Sequence, residues 1–339
     1  MHRLRKMLFW VFLPILCNSA PLNPDFAHLG NLNLINGQTI QNCKLEYRTY
    51  GKPNADSSNI ILYPTWFGGT TQHMQPLIGP DKLIDSTHYY IITVGAIGNG
   101  LSTSPSNSAR QKNHQFPEFT ISDMVQSQYL FLTKVLGINH LKAVMGGSMG
   151  GMQVFEWTVH YPGFMDQAIA YVGSPRLTSF DLLFLQNMLN IIEVGWQYGV
   201  PSDTITGLVN GVQNMMARTP NYFTEHNTRE SMNTYLTNLF HPVSSTFTLF
   251  NRAGQIKAMI NHNVTRNFDG KMENVANRVK ADFLIIVALT DHIINPLPAQ
   301  QFARLTDAEL MLLDSPCGHL SISCEMDRVA NTIKHFLGN

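Results

Sequence analysis

Leu141-Lys-Ala-Val-Met-Gly-Gly-Ser-Met-Gly-Gly-Met-Gln153 is the stretch on which the fold turns. Leu141 to Met145 is a short apolar run of the kind a buried strand needs, and Met149 to His160 carries a helical pattern. Between them Gly146-Gly147-Ser148-Met149-Gly150 reads G-x-S-x-G. The chain must pass from strand to helix so tightly there that the flanking positions tolerate little side chain, hence glycine. Ser148 is lifted to the tip of the turn, at a helix N-terminus that favours developing negative charge. This is the setting of a nucleophile elbow. The pentapeptide alone also fits a plain glycine-rich strand-to-helix turn, so its context has to decide.

Outward from this turn, short apolar runs alternate with longer amphipathic stretches. Residues 59–63, 89–94, 141–145, 168–172, 283–289 and 310–313 read as buried strands, rich in β-branched and aromatic residues. Residues 121–136, 149–160 and 329–337 read as helices. Such alternation predicts a mostly parallel sheet covered on both faces by helices. The rhythm stops between residues 177 and 274, a stretch rich in Asn, Met, Thr and Phe with a helical pattern from Phe180 to Trp196. We read it as an inserted helical lid, dividing a core of residues 21–176 and 275–339.

The strand order also places the partners of Ser148. Asp291 follows the strand ending at Leu289, at the carboxyl edge of the sheet, with Pro296 suited to the first turn of a helix. His319 lies in Gly318-His319-Leu320, on a loop before the last helix. The order Ser, Asp, His is that of the α/β-hydrolase fold, which is the expected fold class. His319 would take the serine proton and return it, and Asp291 would orient the imidazole. Asp291 alternatively reads as a helix cap, and Asp314 lies too close in sequence to His319 to be the favoured acid. Among thirteen histidines, His262, His292 and His335 compete with His319 by type but not by position. The oxyanion hole is expected from the backbone N–H of Met149 and that of Trp66, with Phe67 as the alternative, in Pro64-Thr-Trp-Phe-Gly-Gly-Thr70.

Composition narrows the class of ligand. Charged residues are 14% of the 339 and the formal net charge is zero. No Lys/Arg-rich block occurs, so the long-range attraction that nucleic-acid binding uses is missing. A small neutral substrate fits this balance. The hydrophobic 44% suffices for a large core. His2, Arg3, Arg5 and Lys6, then the apolar run Met7–Cys17, then Ser19 and Ala20, follow the order of a secretory signal peptide over residues 1–20. The run is shorter than the roughly 20 residues of a spanning helix. Export to the periplasm or the exterior, with no membrane span after processing, is the expectation; a buried N-terminal helix is the competing reading. Cys43, Cys317 and Cys324 then remain. Cys317 and Cys324 either bridge in an oxidising compartment or stay as buried thiols. The spacing matches no zinc pattern, so no metal is expected.

Gly146-Gly-Ser-Met-Gly-Gly-Met-Gln153, with Glu156-Trp157 and Tyr161-Pro162, resembles the homoserine O-acetyltransferase family. Ile121-Ser-Asp-Met-Val125, Leu136-Gly137 and Asn99-Gly100 with Ser104-Pro-Ser106 fit it too. The likeness covers most of residues 43–337. It implies an α/β-hydrolase fold with a helical lid, and an acetyl group passed from acetyl-CoA, as substrate rather than cofactor, to a hydroxyl through an acyl-serine. It implies Ser148 as nucleophile, Asp291 as acid, His319 as base, Met149 and the Trp66 loop as oxyanion donors, and a homodimer through the lid. Two family features are missing. No arginine stands between Arg176 and Arg218, where the family's lid helix carries one for a substrate carboxylate; the helix here reads Phe184-Leu-Gln-Asn-Met-Leu-Asn190. Leu320 replaces the aspartate that follows the family's catalytic histidine. Both charge-assisted contacts to a zwitterion are thereby lost, which argues against homoserine as acceptor. Three functions remain: an acyltransferase, a secreted esterase with water as acceptor, and a binding protein without catalysis, against which the intact Ser, Asp and His stand. Met188, Met215, Met216, Phe180 and Phe184 are candidates for an acyl pocket or for plain packing.

Overall fold

The computed structural model describes residues 23–240 and 245–338. The signal peptide read over residues 1–20 lies outside the described residues.

Eight strands form one sheet in the order β1-β2-β4-β3-β5-β6-β7-β8. They are β1 (Asp25–Asn33), β2 (Thr39–Tyr50), β3 (Ile60–Pro64), β4 (Tyr90–Val94), β5 (Leu141–Gly147), β6 (Met165–Tyr171), β7 (Asp282–Ala288) and β8 (Glu309–Leu313). From β4 through β8 every pairing is parallel. Helices cover both faces of such a sheet, so its central strands carry apolar residues without alternation. All five residues of β3 are buried.

The pair β1 and β2 is antiparallel and was absent from the strands read in the sequence. The reason is local. β1 is solvent-facing along most of its length, so it lacks an apolar run. Register shifts on either side of Gly30 also interrupt its alternation. β2 makes up for this by burying Ile40, Cys43 and Leu45.

The helices before the inserted region are α1 (Thr71–Met74), α2 (Ile121–Leu130) and α3 (Met149–His160). Thr120 and Asp123 form a capping box that starts α2. The continuous helix expected over 121–136 changes at Phe131 into a π-helical turn through Val135. The wider turn closes with Leu136 N–H donating to the Phe131 carbonyl, five residues back. α3 is buried on every side until its last residue. It runs under the sheet, where Trp157 and Phe155 are among the largest fully buried side chains.

Between β6 and β7 the chain passes through α4 (Ser179–Gln197), α5 (Ser202–Ala217), α6 (Pro220–His226), α7 (Met232–Asn238), α8 (Leu249–Ile260) and α9 (Met272–Ala276). A second capping box, Thr178 with Asp181, starts α4. Asp181 Oδ1 also accepts from Asn295 N–H at 2.8 Å, tying the first turn of α4 to the loop after β7. Burial raises the Asp181 carboxyl above its usual pKa. After β7 come α10 (Leu297–Leu305), α11 (Ser321–Cys324) and α12 (Met326–Phe336). α12 packs Val329, Ile333 and Phe336 on the opposite face of the sheet from α3.

Candidate active site

Ser148 sits at φ 55° and ψ −123°, between β5 and α3. A non-glycine residue at positive φ costs about 1–3 kcal/mol and persists only where its surroundings hold it. Here Ser148 N–H donates to the Tyr171 carbonyl at 2.9 Å, and the Ser148 carbonyl accepts from Met152 N–H at 3.0 Å. The flanking glycines are required by space. A Cβ on Gly147 would lie 1.9 Å from the Tyr171 ring, and one on Gly146 would lie 2.4 Å from the Gly150 carbonyl oxygen.

The carboxyl ends of β7 and β8 deliver the other two groups. His319 Nε2 lies 2.9 Å from Ser148 Oγ. His319 Nδ1 lies 2.7 Å from Asp291 Oδ2. Asp291 Oδ1 accepts from Ile293 N–H at 2.8 Å and Ile294 N–H at 3.0 Å. That anchoring fixes the carboxylate and leaves Oδ2 for the imidazole, which selects the tautomer with its acceptor nitrogen toward the serine. So the structure brings together the three residues that the sequence separates by 143 and 28 positions. Asp314 is exposed, and so is His335; His262 is buried against Glu156, away from Ser148.

Gly318, at φ +60°, sets His319 on its loop, with Ala217 and Arg218 packed against it. Thr219 Oγ1 donates to the Pro316 carbonyl at 2.6 Å. A disulfide joins Cys317 to Cys324 across the loop, with Cα atoms 6.6 Å apart. Cys43 is a buried free thiol, and burial pushes its pKa up to about 12, so it is an inert packing group.

The segment after β3 faces the same point. Thr65 N–H is used by Val94 and Gly69 N–H by Trp66. Among the described residues no protein acceptor takes the N–H of Trp66, Phe67 or Met149. Two glutamines that the sequence reading gave no role hold this loop. Gln255 of α8 accepts from Gly68 N–H at 2.8 Å and donates to the Ile97 carbonyl at 3.0 Å. Gln153 of α3 donates to the carbonyls of Thr65 at 3.0 Å and Met149 at 3.1 Å. Gln128 and Trp157 complete that buried chain. Gln153 was visible in the Gly146–Gln153 string; Gln255 had no local signal, since its partners lie more than a hundred residues away.

Ser148 and His319 open into a cavity of about 500 Å³, largely apolar, lined among others by Trp66, Phe67, Leu185 and Leu320. Of the proposed acyl-pocket residues, Phe184 and Met188 line it. Phe180 and Met215 instead point to solvent, 46% and 70% exposed. Met216 packs against the core. On α4 the cavity takes positions 184, 185 and 188; Phe180 is one turn before Phe184 and lies beyond the cavity in the first turn of the helix. A second cavity of about 490 Å³, more polar, shares Phe247 and Arg252 with the first. No cluster able to hold a metal ion occurs among the described residues.

A sheet of this order with a serine at the turn after β5, a carboxylate after β7 and a histidine after β8 defines an α/β hydrolase. The family model described as alpha/beta hydrolase fold matches residues 60–323, and the chain belongs to that family. It is an enzyme of ester hydrolysis or acyl transfer. The chain is 31% identical over 317 residues to the "Probable esterase Cgl0839" of Corynebacterium glutamicum, covering 88% of this chain and 90% of that one. It is 36% identical over 169 residues to the homoserine O-acetyltransferase of Methanohalophilus mahii, covering 44% and 35% of the two chains. The solved structure of the acetyl esterase MekB superposes with a TM-score of 0.84 at 27% identity, over 93% of this chain and 95% of that one.

Proposed function

We propose that the protein is a carboxylic ester hydrolase working through an acyl-serine. The observation that carries this is the hydrogen-bonded series Ser148, His319, Asp291 opening on a largely apolar cavity. His319 Nε2 takes the proton of Ser148 Oγ as the oxygen attacks the ester carbonyl carbon. The N–H groups of Met149 and Trp66 hold the resulting oxyanion, each such donor contributing about 3–4 kcal/mol to the transition state. Collapse expels the alcohol, which receives the proton from His319. Water then gives a proton to His319 and attacks the acyl-serine; collapse releases the acid and returns that proton from His319 to Ser148 Oγ.

Water as acceptor is favoured over an amino acid by two features. Leu320 lines the cavity where an acid would meet a substrate ammonium. Asn187 and Asn190 on α4 are exposed, so that helix brings no polar charge to the cavity. The end-to-end likeness to esterases supports the same reading. Transfer to a hydroxyl acceptor is the second reading, favoured by the Gly146–Gln153 string and by the adjoining polar cavity, which has room for a donor's tail. Export is supported by the order of residues 1–20 and by the Cys317–Cys324 disulfide, a bond that persists in oxidising compartments.

The test is turnover of ethyl acetate against CoA release from acetyl-CoA with homoserine, with Ser148→Ala as the blank. Acetate release that falls to the blank in Ser148→Ala, with no response to homoserine, is the expected result. CoA release that climbs with homoserine, with O-acetylhomoserine formed, would replace hydrolysis by transfer.

A further inference from the structure

Arg252 of α8 is a buried cation that has no counter-ion among the described residues. The side chain belongs to a residue only 7% exposed. Its Nη2 donates to Asn210 Oδ1 at 2.9 Å, while Nη1 has no hydrogen-bond partner. The Phe247 ring lies 5.9 Å from the guanidinium carbon. Burial pulls its pKa down to about 10, which leaves it charged at neutral pH. A guanidinium held out of water and paired only with a neutral amide is costly, and a carboxylate repays that cost in fork geometry.

Its location gives the charge a use. Arg252 lines both the cavity of Ser148 and His319 and the polar cavity beside it. Among the described residues, it is the one permanently charged side chain lining the catalytic cavity, and no Asp or Glu lines that cavity. Gln213 brings a second buried atom without a partner, Oε1, to the same lining. A largely apolar cavity with one unpaired positive charge selects for a single negative charge on its ligand. With no acid in the lining, no charged partner there would hold an ammonium.

We propose that Arg252 is the carboxylate-binding group of a substrate subsite, and that the ester turned over carries a carboxylate and no amine. Two sources share this chemistry: a hemiester of a dicarboxylic acid, or an acyl ester of a hydroxy acid. The subsite deepens the hydrolase reading and rests on it for the position of the ester. It also departs from the neutral substrate that the zero net charge suggested, because a chain-wide balance does not describe one buried site.

Two matched pairs separate the sources: monoethyl succinate against ethyl butyrate, and 3-acetoxypropanoate against propyl acetate. In one pair the wild type is expected to show a higher kcat/KM for the acid than for its neutral partner. That preference falls by about 10- to 100-fold in Arg252→Met, the range of a lost charge-assisted hydrogen bond, and Arg252→Lys recovers part of it. Calorimetric binding of the same acid to Ser148→Ala, lost in Ser148→Ala with Arg252→Met, reads the subsite without turnover. Binding that depends on Arg252 in a protein that hydrolyses neither pair would keep the subsite and remove the hydrolase reading. Equal kcat/KM within both pairs, or a preference unchanged by Arg252→Met and Arg252→Gln, would overturn the proposal. Should Arg252→Met fail to fold, Arg252→Lys and Arg252→Gln carry the same comparison.

Discussion

At the scale of single residues, the site depends on which carboxylate reaches the imidazole. Asp291 lies 2.7 Å from His319 Nδ1, whereas the exposed Asp314, five positions before His319, faces solvent. Asp291→Asn is therefore expected to lower kcat about 10⁴-fold, because the amide favours the wrong tautomer. Asp314→Asn should leave kcat within about two-fold, as exposed substitutions away from special contacts do. Hydrolysis of a simple acetyl ester by both variants checks this, and the reverse pattern would reassign the acid. Ser148, Asp291 and His319 were legible because each follows a strand signal in the right order. Gln255 and Arg252 were not, because a lone polar residue in a helical pattern carries no mark of what it faces.

At the scale of elements, the loop between β8 and α12 is clamped from two sides. The disulfide Cys317–Cys324 brackets His319, and Thr219 of the inserted region holds Pro316. Closing so short a loop stabilises the fold by about 2–3 kcal/mol in the chain-entropy model. Cys317→Ser with Cys324→Ser should lower the urea midpoint accordingly. It should also lower kcat, since His319 and the cavity-lining Leu320 both sit in the loosened loop. Unchanged kcat at lowered stability would mean that the bridge holds the loop without positioning the base. The inserted region thus does more than cover the cavity: α8 fixes Gly68 through Gln255, and the α5–α6 junction fixes the loop of His319.

At the scale of the molecule, one buried acid joins several layers. Glu156 of α3 accepts from Ser122 of α2 at 2.7 Å and lies 2.9 Å from His160 Nε2. His262, after α8, approaches its Oε1 at 3.2 Å without the alignment of a hydrogen bond. Burial opposes ionisation of Glu156, but the two histidines outweigh it and hold the carboxyl well below its ordinary value of 4.5. A depressed folded-state pKa contributes stability that is fully present above the unfolded value and is lost as pH falls toward the folded one. Wild type should therefore melt higher than Glu156→Gln at pH 7, and the gap should shrink progressively below about pH 4.5. Thermal melts across that range check it; a gap independent of pH would place the effect in packing rather than charge.

The sequence by itself determined the parallel core, the turn that raises Ser148, and the order of its partners. Those features are written in local patterns: apolar runs, glycines beside a serine, and chemistry placed after strands. The antiparallel β1–β2 edge, the π-helical end of α2, the Cys317–Cys324 pairing and the cavity's one permanent charge among the described residues were decided by the tertiary structure alone. The charge depends on groups that meet across large separations in the chain, and the other three on local geometry that a pattern of apolar residues does not encode. Arg252 is the clearest case: among the described residues no carboxylate pairs with it, and a linear pattern does not record what is missing in space.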